Sequence, residues 1–256
     1  MLQSITKNVI LFKKYVSNFY TDNSVDNENI TFKLNHSLRV LDEAFNFFEC
    51  YKYDIESKTK SIILASSLFH DVGRFEQYRK YKTYSDSISE DHGDLGAHIL
   101  KNDVFFLDLS IDDSIINAVK YHNKKNLPES LDMLSNEVCL FVRDFDKIDI
   151  LKSIVNAFEL NQINEVLSLH LKNEKELLSE TLLNDLIFDN KLIDYKHLVY
   201  RNDMLIGMLS WLKQFNYKPN LITLIKDNIP ERLAQLFPNK YINTVMNYIE
   251  NLSRSI

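Results

Sequence analysis

Turn-forming residues are scarce in this chain: its 256 residues include only 4 glycines and 4 prolines. Tight turns draw on glycine for positive φ and on proline for a preset φ. A sheet-rich fold needs many such turns, so the scarcity disfavours one. Long helices joined by polar connectors suit the sequence better, and an all-α fold is expected. The chain is long enough to bury a substantial core, as one large domain or as a domain with an extension. Hydrophobic residues, at 45 %, are sufficient to fill it.

Helical spacing recurs along the chain. Residues 4–20 read as an amphipathic helix, followed by the polar stretch TDNSVDNEN. A second helix is expected from about Phe32 to Tyr53, with Leu34, Leu38, Leu41, Phe45 and Phe48 as its core stripe and His36 off that stripe. A third begins near Ser57 and carries IILASSLFH, with Gly73 as its expected stop. After the polar, aromatic segment YRKYKTYSDSISED, helices are expected from His92 and from near Ile111 to about AVKYHN. Another covers NEVCLFVRDFDKIDILKSIVNAF. DMLIGMLSWLKQF and YINTVMNYIENL continue the pattern. With no repeat or long linker, the expected organisation is a helical domain over residues 1–155 and a C-terminal helical extension, 156–256, packed on it.

Charge and cysteine content narrow the function classes. A net charge of −6 gives no global basic footprint for nucleic acid, and no stable nucleic-acid partner is expected. Cys50 and Cys139 form neither a CxxC nor a zinc spacing, so a reducing compartment is the natural reading. The first twenty residues have no long uncharged apolar core and no small-residue cleavage site. No stretch approaches the length of a membrane span. A soluble cytoplasmic protein is expected; the oligomeric state is open.

The segment SLFHDVGRFEQ, residues 67–77, drives an apolar run straight into His70 and Asp71. Both side chains are costly to bury without a partner. Other titratable residues sit at helix edges: His36, His92, His122, and Asp144 with Asp146. Neighbours on a helix diverge, but at a helix end His70 and Asp71 can converge on one ion. The partial negative charge of the terminal carbonyls favours a cation there. Imidazole and carboxylate suit Mn, Fe, Co, Ni and Zn. The absence of thiolates argues against a structural zinc site.

The ordered set resembles the HD-domain superfamily of metal-dependent phosphohydrolases over roughly residues 10–155. KLNHSLRV supplies His36, LASSLFHDVGRFEQ supplies His70 and Asp71, and RDFDKID looks like the terminal aspartate element, with Asp146 in the ligand position and Asp144 outside it. HGDLGAHIL and AVKYHNKKNLPE resemble histidine elements of the branch that holds two metals. The resemblance implies an HD-domain helical bundle in which His36, His70, Asp71 and Asp146 bind one divalent ion. His92, His122 and a bridging Asp71 bind a second. One or two ions of Mn, Fe, Co, Ni, Mg or Zn are implied. Asn123 stands where the HD-GYP subgroup has a further histidine, and the GYP-type motif is missing, so cyclic-dinucleotide hydrolysis is not expected.

The implied activity is hydrolysis of a small phosphorylated substrate, a nucleotide foremost, by metal-activated water. It would be that of a phosphomonoesterase, phosphodiesterase or nucleotide pyrophosphatase. Asp71 and Arg74 are the implied catalytic pair: Arg74 stands where the related HDxGK element has a lysine, which implies phosphate binding. Lys33 and Arg39, one turn either side of His36, and Arg79 are further candidates for substrate contact. Lys147 either supports the metal-binding aspartate or substrate, or forms a surface salt bridge. His98, on nearly the opposite face from His92, and His170 and His197, beyond the matched region, are expected to be non-ligands. Two alternatives stand: a di-iron HD-type oxygenase, and a non-catalytic nucleotide- or metal-sensing protein.

Overall fold

A computed structural model describes residues 2–51, 53–106, 111–160 and 171–254. Among them the regular structure is helical, and the only strand-like pairing is a parallel bridge between Lys172 and Tyr200. The expected all-α fold is the observed one. The α-helices are α1 (Leu2–Ser17), α2 (Ser24–Cys50), α3 (Ser57–Phe69), α4 (Gly73–Tyr81), α5 (His92–Asn102), α6 (Asp113–Tyr121), α7 (Met133–Glu159), α8 (Glu180–Ile187), α9 (Asp203–Trp211), α10 (Lys218–Lys226), α11 (Ile229–Gln235) and α12 (Asn239–Arg254). Among the described residues no helix is long and apolar enough to cross a membrane. The chain divides into two compact units, residues 1–149 and 150–256, with the division inside α7.

In the first unit α3 is the central element. Its residues from Ile62 to Phe69 are all buried, as befits a helix surrounded by others. Two aromatic clusters fix the helices around it. Phe12 of α1 meets Phe69 and Phe75 edge-on, at 5.8 and 5.7 Å between ring centroids. Phe47 of α2 meets Phe141 and Phe145 of α7 at 5.3 and 5.6 Å. Such edge-to-face pairs add to the burial of large rings. Phe69 directly precedes His70, and Phe145 directly precedes Asp146, so each cluster anchors a candidate ligand.

Three local expectations need correction. Helix α2 begins at Ser24, within the stretch read as a polar connector, because the Asn23 side chain accepts hydrogen bonds from the Val25 and Asp26 amides. Its buried face is also rotated from the expected stripe. Ile30, Lys33, His36, Ser37, Val40, Leu41, Ala44 and Phe47 are buried, whereas Leu34, Leu38, Phe45 and Phe48 are only half-buried. Polar residues hold that face because partners on other helices receive them. Finally, Gly73 does not stop a helix; it opens α4, which ends instead at Lys82 in the left-handed region, φ 53°.

Gly73 serves close approach. A Cβ there would lie 2.2 Å from the His92 carbonyl oxygen and 2.7 Å from the Gly96 amide nitrogen. On the other side of α5, a Cβ on Gly93 would lie 2.7 Å from the Lys120 carbonyl oxygen. The missing side chains let α5 lie against both α4 and α6, bringing His92 up to Asp71.

The second unit is organised around a buried carboxylate. Asp203 accepts from the Ser179 amide (2.7 Å) and hydroxyl (2.8 Å) and from the Val199 and Tyr200 amides (2.8 and 2.9 Å). Neighbouring Asn202 donates to the Lys175 and Leu177 carbonyls. These bonds pin residues 175–203 where helix is scarce.

Candidate metal centre

Five helices deliver the candidate ligands. His36 lies on α2, His70 ends α3, and Asp71 occupies the turn into α4. His92 opens α5, His122 ends α6 and Asp146 lies on α7. The four histidines and Asp71 are buried, and the Asp146 side chain, 21 % exposed, lies nearer solvent.

All six converge. In the first half of the centre, His36 Nε2 lies 3.1 Å from His70 Nε2, 3.1 Å from Asp146 Oδ1 and 3.4 Å from Asp71 Oδ2. His70 Nε2 lies 3.5 Å from Asp146 Oδ1 and 3.7 Å from Asp71 Oδ2. In the second half, His92 Nε2 lies 3.0 Å from His122 Nε2, and these two atoms lie 3.3 and 3.7 Å from Asp71 Oδ1. Asp71 therefore turns one oxygen to each half. His70 also lies close to His122, so the halves adjoin.

The Nδ1 bonds leave Nε2 as the ring nitrogen that faces the centre. His70 Nδ1 donates to the Ser67 carbonyl and His122 Nδ1 to the Val119 carbonyl, both at 2.8 Å. His36 Nδ1 donates to Asp149 Oδ2 and His92 Nδ1 to Asp86 Oδ2, both at 2.7 Å. A carbonyl or carboxylate can only accept, so each Nδ1 carries a proton, and a neutral ring then presents a lone pair at Nε2. Two facing pairs of lone pairs, beside carboxylate oxygens, repel unless positive charge, from an ion or from added ring protons, sits among them. Asp146 Oδ1 is buried with no hydrogen-bond partner. The separations match coordination edges: donors about 2.1 Å from one ion lie about 3.0–3.4 Å apart. The residues fit a divalent ion in each half.

The buried groups also shift one another. Burial raises the Asp71 carboxyl, but Lys33, His70, His122 and Arg74 outweigh it and hold it well below the usual range. Burial likewise opposes, and His36 and His70 overcome, to keep Asp146 ionised. Burial and Arg74 push His92 down to about 4 against the pull of Asp86. Burial and Lys33 lower His36, yet the facing Asp146 and Asp149 carboxylates prevail and raise it.

The candidate cations divide into two groups. Lys33 Nζ pairs with Asp71 Oδ2 at 2.8 Å, and Arg74 Nε lies 3.5 Å from Asp71 Oδ1. Arg74 Nη1 also donates to Gln77, Asp86 and the Tyr84 carbonyl. Arg39, in contrast, grips Asp149 with two hydrogen bonds, 2.6 and 3.0 Å. Arg79 meets Glu76 and the Phe19 ring, away from the ligands. Asp144 is buried but outside the converging set. His98 and His197 are exposed, and His170 lies outside the described residues. Burial lowers Lys147 to about 8, against Asp144.

Sequence reasoning missed Asp149 and Asp86. Asp149 had a signal, one helical turn after Asp146 on the same face. Asp86 had none, since it lies in a connecting segment with no periodicity to place it.

Fold and site thus define an all-helical protein with a buried histidine–aspartate centre suited to divalent metal. Residues 34–151 match the family model described as HD domain. That stretch is similar to an HD domain, a helical domain that binds divalent metal in a superfamily made up in general of phosphohydrolases. No curated protein and no solved structure matches the chain.

Proposed function

We propose that this protein is a metal-dependent phosphohydrolase acting on a small phosphorylated molecule, a nucleotide foremost, with two divalent ions. The observation that carries the reading is the Asp71 carboxylate, whose two oxygens face two separate sets of Nε2 lone pairs. Ions held there would lower the pKa of water and stabilise charge on a phosphoryl group. His36, His70, Asp146 and Asp71 Oδ2 would give a first ion four protein ligands. His92, His122 and Asp71 Oδ1 would give a second ion three, leaving more of its coordination to water and substrate. Lys33 and Arg74 place positive charge beside Asp71 for the remaining phosphoryl oxygens. Arg39 and Arg79 are committed to carboxylates elsewhere and are not assigned to substrate. A cytoplasmic setting goes with this reading, and Cys50 and Cys139 are both free thiols.

The test is metal content by plasma mass spectrometry, together with phosphate release from a phosphoester panel in Mn, Co, Ni, Mg and Fe. Two bound ions and turnover that Asp71→Ala abolishes are expected. A protein that binds no divalent ion, or that hydrolyses nothing with any of them, sinks the reading. Oxygen consumption by an iron-loaded form would replace it with the oxygenase alternative.

A further inference from the structure

The two halves of the centre repeat one plan. Each contains a histidine at the end of a helix whose Nδ1 donates to the carbonyl three residues earlier, His70 to Ser67 and His122 to Val119. Each contains a second histidine whose Nδ1 donates to a carboxylate, His36 to Asp149 and His92 to Asp86. In each, an arginine holds that carboxylate, Arg39 on Asp149 and Arg74 on Asp86. The carboxylates differ in where they come from. Asp149 rides on α7 with the ligand Asp146, so the helix itself positions it. Asp86 belongs to a single 3-10 turn, Asp86–Ile88, in the connection between α4 and α5.

An isolated turn does not hold a carboxylate in place, and here side chains do so. Arg74 Nη1 and Gln77 Nε2 donate to Asp86 Oδ1 at 2.9 and 2.8 Å, and Asn123 Nδ2 approaches Oδ2 at 3.3 Å. Gln77, fully buried, also donates to Ser89 Oγ and the Glu90 carbonyl, fixing the rest of the connection. Asn123 further bonds Asp91, the N-cap of α5. Three side chains thus lock one exposed-edge carboxylate onto one imidazole.

We infer that Asp86 is a positioning residue that builds the second ion site through His92, with Arg74, Gln77 and Asn123 as its brace. Outer carboxylates of this kind fix ring orientation and raise ligand basicity. The second half has one fewer protein ligand than the first, so it depends more on this support. Arg74 accordingly has a structural task besides any charge it offers to substrate. The inference rests on the two-ion reading above.

The test compares wild-type protein with Asp86→Ala, Asp86→Asn and Asp149→Ala. Mn binding is titrated by calorimetry, and histidine tautomers are read by 15N NMR in the metal-free protein. In Asp86→Ala the weaker Mn ion is expected to lose ~10–100-fold in affinity while the tighter one holds; Asp149→Ala should do the reverse. Asp86→Asn, which keeps an acceptor oxygen and guards against misfolding, should fall between. In the metal-free Asp86→Ala protein, the His92 ring alone should leave the Nδ1–H tautomer. Unchanged affinities with an unchanged His92 tautomer overturn the inference while leaving the two-ion reading intact. Equal loss of both ions in a variant with wild-type circular dichroism also overturns it. Wild-type protein that binds no Mn overturns the two-ion reading, and the tautomer result still decides what Asp86 does to His92.

Discussion

Lys33 and Asp71 form a buried ion pair, Nζ to Oδ2 at 2.8 Å, on the carboxylate that faces both halves of the centre. The lysine balances charge that a bound ion would also balance. Breaking a buried pair by removing one partner strands the other charge, at a cost of roughly 3–5 kcal/mol. Lys33→Met should therefore destabilise the metal-free protein by about 3 kcal/mol, and saturating Mn should shrink the deficit. Urea unfolding in chelator and in Mn measures both. An equal deficit in the two conditions would show that Lys33 and the ion do not share Asp71.

The closeness of α4 and α5 predicts the effect of a single methyl group. Gly73→Ala would place Cβ against the His92 carbonyl oxygen. Overpacking of this kind costs about 1–3 kcal/mol, and relief requires the start of α5 to move away, taking His92 with it. Thermal melts should show the loss, and Mn titration should show weakening of the second ion first. A variant with wild-type values in both would mean that the crossing has slack.

Asp203 tests the second unit on its own terms. Asp203→Ala removes the acceptor for three backbone amides and one hydroxyl. Bonds to a charged acceptor are each worth about 1.5–3 kcal/mol, and water can reach some of the stranded donors, so a loss of roughly 3 kcal/mol is expected. Hydrogen exchange should locate it at the amides of Ser179, Val199 and Tyr200. Unaltered protection there would refute the role.

A surface pair sets a pH dependence. The hydrogen bond from Lys82 holds the Asp26 carboxyl below its ordinary range, with a further contribution from Tyr78, and so ties α2 to α4. A lowered folded-state pKa means that the unfolded chain binds the proton first. The contribution is present above about pH 4 and is lost as pH falls through the folded-state value. Asp26→Asn should flatten the stability–pH curve below that point, as followed by urea midpoints from pH 3 to 5. Parallel curves for the two proteins would exclude the pair as a source of acid sensitivity.

Much of this was legible in the sequence, and the misses have physical causes. Few turn formers and apolar periodicity imply an all-helical fold, and the order of His36, His70, Asp71, His92, His122 and Asp146 resembles a family whose domain model matches residues 34–151. The α2 stripe was misread because hydrophobicity assigns Lys33, His36 and Ser37 to solvent, whereas pairing between helices buries them. Gly73 was misread because glycine signals a turn and a close approach equally well. Asp86 was invisible because its partner depends on how a connecting segment folds back, which no local pattern encodes.

Three of the chain's 4 glycines meet where α5 lies against α4 and α6. Any missense change at such a codon adds at least a β-carbon, so these positions have no conservative neighbour in the genetic code. Outer helical faces are free to drift along a lineage, but this crossing is held at three fixed points, and with it the interval between Asp71 and His92.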